Sequence, residues 1–546
     1  MMVFRFTPMF LAVALAVAAL PASAQNGPIV RPPVGAVQGM AESDFQVFKG
    51  LPYALAPVGP ARWTPPRPYP DWQGVRPATA FGPACIQPVG AATSIYAGDV
   101  GPMSEDCLSL NVWAPKAAHG APVFVWIHGG SLWTGAGRET MYDGSKMAAR
   151  GVIVVTINYR LGVLGYLAHP ALSTESPQGI SGNYGLLDQI EALRWVKRNI
   201  AAFGGDPANV TIAGESAGGL SVMYLLASPP ARGLFAKAIA ESAYMVTTPE
   251  LKTAAFGNKP AEASGADLAA KLKASGIADL RAMDARALTS AAAAAGFAPF
   301  GAVDGKILPR QLVDVFDRGE QAPVPLLAGF NAGEIRSLRA LAPAVPASAA
   351  AYESVIRAQY GDLADAFLKL YPSTDLSESI LRTTRDSLYG WTAQRLAIKQ
   401  TTIGQPAYLY LFDHGYPAED NAGLHGFHAS ELPYVFGTAD HLGPNWPKPP
   451  ASDRSLSDAM IAYWTSFALT GSPKAAGAPD WRPYGSTGAY MDFKDAPRMS
   501  TDLSPGMYAF NEQVVCRRRA EGDQPWHWNV GLWSPKMPPA SPKCAG

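Results

Sequence analysis

Five nearly unbroken apolar runs punctuate the chain: PVFVWIHGG (122–130), GVIVVTINYR (151–160), NVTIAGESAGG (209–219), PVPLLAGFN (323–331) and PAYLYLFDH (406–414). Short runs rich in β-branched and aromatic residues read as strands covered on both faces. Between the second and third lies LLDQIEALRWVKRNIAAFGG (186–205), in which Leu187, Ile190, Leu193, Trp195 and Ile200 suit one face of a helix closed by Gly204-Gly205. Buried strands alternating with helices predict an α/β fold with a mostly parallel central sheet flanked by helices. The Ala-rich stretches 286–295 and 340–351 read as helices or loops inserted into that fold, and no repeat or polar linker divides the chain. Residues 25–546 are therefore expected to form one domain.

The two ends read differently. Residues 1–24 carry one positive charge, Arg5, then the apolar run MFLAVALAVAAL, then Ala22-Ser23-Ala24, the pattern of a secretory signal peptide cleaved after Ala24. That run is shorter than the about 20 residues a membrane span requires, and no later stretch is long enough. A secreted or periplasmic protein is expected. From about Cys516 the chain has few regular signals and reads as an irregular tail. Four cysteines in an exported chain fit two disulfides, and proximity in sequence pairs Cys85 with Cys107 and Cys516 with Cys544.

Composition narrows the partner. Hydrophobic residues make up 48% and charged residues 16% of the chain, enough for a large core. Lys plus Arg and Asp plus Glu balance at 44 each, so no net field draws nucleic acid or an anionic membrane. A small, neutral or apolar molecule is the expected partner, and a monomer the expected state.

Gly214-Glu215-Ser216-Ala217-Gly218 follows the strand VTIA and precedes the apolar helix GLSVMYLLAS. In a strand–turn–helix, small residues on both sides of the serine expose its Oγ at the helix N-terminus; a plain helix cap is the simpler role. A serine nucleophile needs a base and an acid that orients it, here expected in the chain order acid then histidine. Of eight histidines, His414, His425, His428, His441 and His527 come late enough. His428, in the loop GLHGFHASELPYVFG, is the candidate base. His425, His428 and Glu431, three apart, also suit a metal set on one helical face, but no H-E-x-x-H is present and Ser216 would then have no role. Glu334, directly after the run PVPLLAGFN, is the candidate acid. Its competitor Asp304 sits in an Asp-Gly turn signal.

With these residues placed, the chain resembles the type-B carboxylesterase/lipase family, α/β-hydrolases that include cholinesterases, bacterial para-nitrobenzyl-type esterases and fumonisin esterase. FKGLPYALAPVGPARWTPP (48–66), SEDCLSLNVWAP (104–115), residues 182–219, GFNAGE (329–334) and HASELPYVFG (428–437) carry the likeness in one order. The resemblance implies the α/β-hydrolase fold, with inserted helices and loops over the site. It makes Ser216 the nucleophile, Glu334 the acid and His428 the base, and it makes Cys85–Cys107 the family's N-terminal disulfide. It also implies oxyanion donors at Gly130, Ser131 and Ala217, with no cofactor and no metal. Ser131 departs from the usual glycine and Leu132 from the usual phenylalanine.

The expected activity is hydrolysis of neutral carboxylic esters through an acyl-enzyme on Ser216. Amide, carbamate or lactone cleavage by the same triad is an alternative, as is a non-catalytic binding protein on this fold. In that setting the glycine-rich loop of VFVWIHGGSLWTGAG (123–137) reads as the oxyanion loop, since it lacks both a P-loop Lys-Ser/Thr pair and a G-x-G-x-x-G spacing. Glu215 reads as electrostatic support for the imidazolium or as a structural carboxylate. Ser242 reads as a minor support of the triad, and Phe297 and Phe300 as acyl-pocket lining or ordinary core.

Overall fold

The computed structural model describes residues 27–526 and 529–544. The signal peptide expected at 1–24, and His527, lie outside the described residues.

The main sheet has eleven strands: β1 (Met40–Ala41), β2 (Phe45–Pro52), β3 (Ser109–Pro115), β4 (Ala121–Ile127), β5 (Ile153–Ile157), β6 (Gly205–Glu215), β7 (Lys237–Glu241), β8 (Leu326–Asn331), β9 (Ala407–Phe412), β10 (Ala489–Phe493) and β11 (Pro497–Thr501). Their spatial order is β11-β10-β9-β8-β7-β6-β4-β5-β3-β2-β1. The pairs from β5 through β10 are parallel, and antiparallel strands finish both edges. All five apolar runs seen in the sequence are central parallel strands, as burial of both faces requires.

Alternation along each strand divides the core. Val123, Val125 and Ile127 of β4 pack with Leu193 and Leu220, whereas Phe124 and Trp126 point to the opposite face and pack with Trp464 and Phe467. Helices α1 (Tyr184–Asn199) and α2 (Ala217–Ala227) thus cover one face, and α3 (Arg454–Thr470) covers the other. Helix α1 passes into a short 3-10 turn, Ile200–Phe203, and stops at Gly204 with φ 87°, the left-handed stop read from Gly204-Gly205.

Both cysteine pairs form disulfides, Cys85–Cys107 and Cys516–Cys544. The tail requires a correction: Cys516 lies inside helix α4 (Met507–Glu521), so irregular structure begins at Gly522 and not near Cys516. Met507, Phe510, Val514 and Val515 form a buried stripe that the following arginine run obscured. Those arginines anchor the tail: fully buried Arg518 donates to Asn529 O at 2.9 Å and Ser534 Oγ at 2.8 Å, and Arg517 pairs with Asp362 at 2.7 Å. The 286–295 stretch is largely the helix Ala285–Ala294, and 340–351 is mostly loop before a helix that starts at Ala349.

Candidate active site

Parallel strands bring their carboxyl ends to one edge of the sheet, where such folds place reactive groups. There β4 runs into the glycine-rich loop, β6 into Ser216, β7 into Ser242 and β8 into the turn before Glu334. Cross-strand register sets Gly214 beside Ile127 and Glu215 beside Glu241.

Ser216 sits between β6 and α2 at φ 57°, ψ −120°, a conformation that costs a non-glycine residue about 1–3 kcal/mol. Its surroundings hold it there. Ser216 N donates to Glu241 O at 3.0 Å. The flanking glycines are required by contact: a Cβ on Gly214 would lie 2.6 Å from the Gly218 carbonyl carbon, and one on Gly218 only 2.0 Å from Ile127 O. A helix-capping serine has no need of this geometry. Among the described residues the Ser216 side chain makes no capping bond.

Glu334 is fully buried. Its Oε1 accepts from Ser242 Oγ at 2.7 Å and Asn331 N at 2.8 Å, while Oε2 pairs with His428 Nδ1. The Glu334 and His428 segments are also tied through the main chain. Gly333 N donates to Gly426 O at 2.8 Å, and Asn331 Nδ2 donates to Phe427 O at 2.8 Å. A Cβ on Gly333 would lie 1.9 Å from His425 O, so only glycine allows this approach. With Nδ1 held by Glu334, the other ring nitrogen of His428 faces the residue before Ser216, and Nε2 lies 3.1 Å from Glu215 Oε1 without the alignment of a hydrogen bond.

Buried carboxylates crowd this centre. Burial first, then the charges of Glu334 and Glu241, pushes Glu215 well above the usual carboxylate range. Burial likewise pushes Glu241 up to about 8, opposed by the bond from Trp464 Nε1, and raises Glu431, which accepts from Asn331 Nδ2. Such crowding, in a low-dielectric setting, is characteristic of functional sites.

The glycine-rich loop lies against Ser216: a Cβ on Gly129 would fall 2.9 Å from Glu215 O and 3.2 Å from Ser216 Cβ. Gly130, Ser131 and Leu132 have φ of 94°, 57° and 59°, three successive positive values that fold the loop back on itself. Trp133 N and Thr134 N both donate to Gly130 O at 2.9 Å and close the turn. Among the described residues, the N–H groups of Gly130, Ser131 and Ala217 make no hydrogen bond within the chain. His128 supports the loop: its ring stacks on Tyr159 at 4.4 Å and its carbonyl accepts from Tyr159 Oη at 2.7 Å. Burial pushes His128 down to about 4, so it remains neutral and packs as a flat ring. Trp133 meets Phe297 edge to face at 6.1 Å, which puts Phe297 beside this loop.

The competing assignments separate cleanly. Asp304 is a loop anchor: Oδ1 accepts from Lys306 N, Ile307 N and Leu308 N at 2.7–3.1 Å, and Oδ2 accepts from Asn183 Nδ2 at 3.0 Å. His425 lies between Asp413 and Asp420, so His425, His428 and Glu431 each have different partners and do not converge. Among the described residues no cluster of three or more His, Cys, Asp or Glu is arranged to hold a metal ion, and no helix is long and apolar enough to cross a membrane.

Residues 26–511 match the model of the carboxylesterase family. The chain belongs to the carboxylesterase family. This carboxylesterase is 37% identical over 481 residues to fumonisin B1 esterase of Sphingopyxis macrogoltabida, covering 84% of this chain and 85% of that one. It is 38% identical over 476 residues to para-nitrobenzyl esterase of Bacillus subtilis (strain 168), covering 84% and 92%. A solved PNB esterase structure superposes with a TM-score of 0.75 at 36% identity, covering 88% of this chain and 99% of that one. The α/β-hydrolase fold and carboxylic ester hydrolysis follow from these likenesses.

Sequence reasoning passed over Asn331, whose backbone N–H and side chain hold Glu334, Phe427 and Glu431 together. Its place three residues before Glu334, at the end of a buried strand, was the available signal. Ser242 carries a larger part than its sequence context suggested, since its hydroxyl bonds Glu334 directly.

Proposed function

We propose that this carboxylesterase works through an acyl-enzyme on Ser216, with His428 as base and Glu334 as acid. The observation that carries the reading is the buried Glu334–His428 Nδ1 pair beside the strained Ser216 turn. His428 Nε2 takes the Ser216 proton as Oγ attacks the ester carbonyl, and Glu334 holds the ring in one tautomer. Backbone N–H groups of Gly130, Ser131 and Ala217 receive the oxyanion; loss of one such donor typically costs about 10²–10³ in rate. His428 then protonates the leaving alcohol and activates the water that releases the acid.

The two relatives above are named for unlike esters, fumonisin B1 and para-nitrobenzyl, so the substrate proposed is a class, neutral carboxylic esters. The same machinery accommodates amides, carbamates or lactones, because leaving group and pocket shape decide among them. Two disulfides and the leader-like residues 1–24 support export to a secreted or periplasmic location. A fluorophosphonate probe should label Ser216 in folded protein, and Ser216→Ala should abolish hydrolysis of short-chain nitrophenyl esters. A mutant with wild-type turnover would place the nucleophile elsewhere.

A further inference from the structure

The loop closed by Cys85–Cys107 touches the glycine-rich loop, the main chain of His428 and the turn that begins at Glu334. At its start, Gln87 grips the glycine-rich loop reciprocally: Nε2 donates to Gly135 O at 3.0 Å, and Gly135 N donates to Oε1 at 2.9 Å. Near its middle, the Tyr96 hydroxyl lies 2.9 Å from the main-chain oxygen of His428 and 2.8 Å from Ser337 Oγ. Proton counting orients these bonds. A carbonyl only accepts, so Tyr96 spends its one proton on His428 O and must accept from Ser337. Ser337 ends the single helical turn that begins at Glu334. A chain Ser337–Tyr96–His428 thus joins the acid's turn to the base's main chain.

The Tyr96 ring is held separately. It packs edge to face on Trp446 at 6.0 Å, and Trp446 packs on Phe427 at 4.8 Å, the residue before His428. Asn445 Nδ2 donates to Ala92 O and Ser94 O at 2.6 and 2.9 Å, fixing the loop just before Tyr96. Tyr96 is 39% exposed as a residue, yet burial raises its hydroxyl well above the ordinary value, so the exposed part is the ring and the hydroxyl is enclosed with its partners Ser337 and His428 O.

We propose that Tyr96 is a positioning residue for His428, the disulfide-closed loop serving as a strap that holds the base in register with the acid's turn and the glycine-rich loop. This rests on the triad reading above. A base displaced by a fraction of an ångström loses the alignment on which proton transfer depends, even when substrate still binds.

The test is Tyr96→Phe, which keeps the ring contact with Trp446 and removes only the hydroxyl, with Ser337→Ala as a second, independent break in the chain. For nitrophenyl ester hydrolysis by Tyr96→Phe, kcat should fall about tenfold with KM within about twofold, and Tm should drop by no more than a few degrees. The rate of Ser216 labelling by a neutral fluorophosphonate should fall in proportion. Ser337→Ala should show a smaller loss in the same pattern, and the double variant should lose less than the product of the two. Unchanged kcat in Tyr96→Phe, or a rise in KM with kcat retained, overturns the proposal. Ser216→Ala is run beside them: if it retains turnover the triad reading fails, whereas an inactive Ser216→Ala with a fully active Tyr96→Phe defeats the positioning role alone.

Discussion

Glu215 Oε1 lies 3.1 Å from His428 Nε2, the nitrogen opposite the one bound by Glu334, so the imidazole stands between two buried carboxyl groups. In the proposed mechanism a protonated His428 faces the Glu215 carboxyl, which stabilises the imidazolium only in its ionised form. Burial holds Glu215 well above its ordinary range, so at neutral pH ionisation opposes folding. The consequences for Glu215→Gln are opposite in sign: at a pH high enough to ionise Glu215, kcat falls about tenfold through loss of the carboxylate's support, while thermal stability at pH 8 stays equal or rises. Steady-state kinetics with melting curves measures both. Unchanged kcat would leave Glu215 a structural carboxylate.

Ser131 adopts φ 57° with an exposed side chain in the loop beside Ser216. Glycine takes that conformation without penalty and removes a Cβ and hydroxyl from the space beside the scissile carbonyl. Ser131→Gly should therefore be folded as stably as wild type or up to about 1 kcal/mol more. It should also hydrolyse esters of bulky and tertiary alcohols faster relative to short linear ones. A panel of nitrophenyl and tertiary-alkyl esters reads the ratio; an unchanged profile would make Ser131 a bystander.

His425, three residues before His428, bonds Asp420 through Nδ1 at 2.8 Å and Asp413 through Nε2 at 3.2 Å, with Lys494 at 3.4 Å from Asp413. The Asp413 hydrogen bond leads the forces that push it up to about 9, against a partial desolvation cost. A raised histidine stabilises the fold fully below its unfolded value of about 6.5, and the benefit is lost as pH rises through about 9. The difference in Tm between wild type and His425→Gln should be largest near pH 6 and close by about pH 10. A difference independent of pH would show that His425 is neutral in the fold.

Asp304 accepts three backbone N–H groups and the Asn183 amide, and Asn183 in turn accepts from Ala302 N at 2.9 Å. Asp304→Ala leaves several of those donors without partners, and a loss of about 2 kcal/mol in unfolding free energy is expected from denaturant titration. Labelling of Ser216 by a fluorophosphonate at permissive temperature should remain near wild type. Loss of labelling without loss of stability would give Asp304 the acid's part instead of Glu334.

Several features were legible because they depend on neighbours in the chain. The five buried strands follow from runs of apolar residues, and the nucleophile turn from small residues flanking Ser216. The start of the tail was misplaced for a local reason as well: Arg517 and Arg518 look like solvent residues, yet both are buried, each with fixed acceptors. No local pattern reveals that an arginine has found a partner 155 residues away in Asp362.

The order of residues by itself determined a parallel α/β sheet, a serine set on the turn between strand and helix, and a loop of small residues able to present backbone N–H groups. Tertiary structure alone decided which carboxyl faces which nitrogen of His428: Glu334 on Nδ1, Glu215 near Nε2. It also decided that Asn331, Ser242 and Tyr96 hold that arrangement. The physical reason is distance along the chain. Strand patterns need only short apolar runs buried on both faces, whereas the Glu334–His428 and Tyr96–His428 contacts join segments 94 and 332 residues apart, and their geometry exists only once parallel strands bring those loops to one edge.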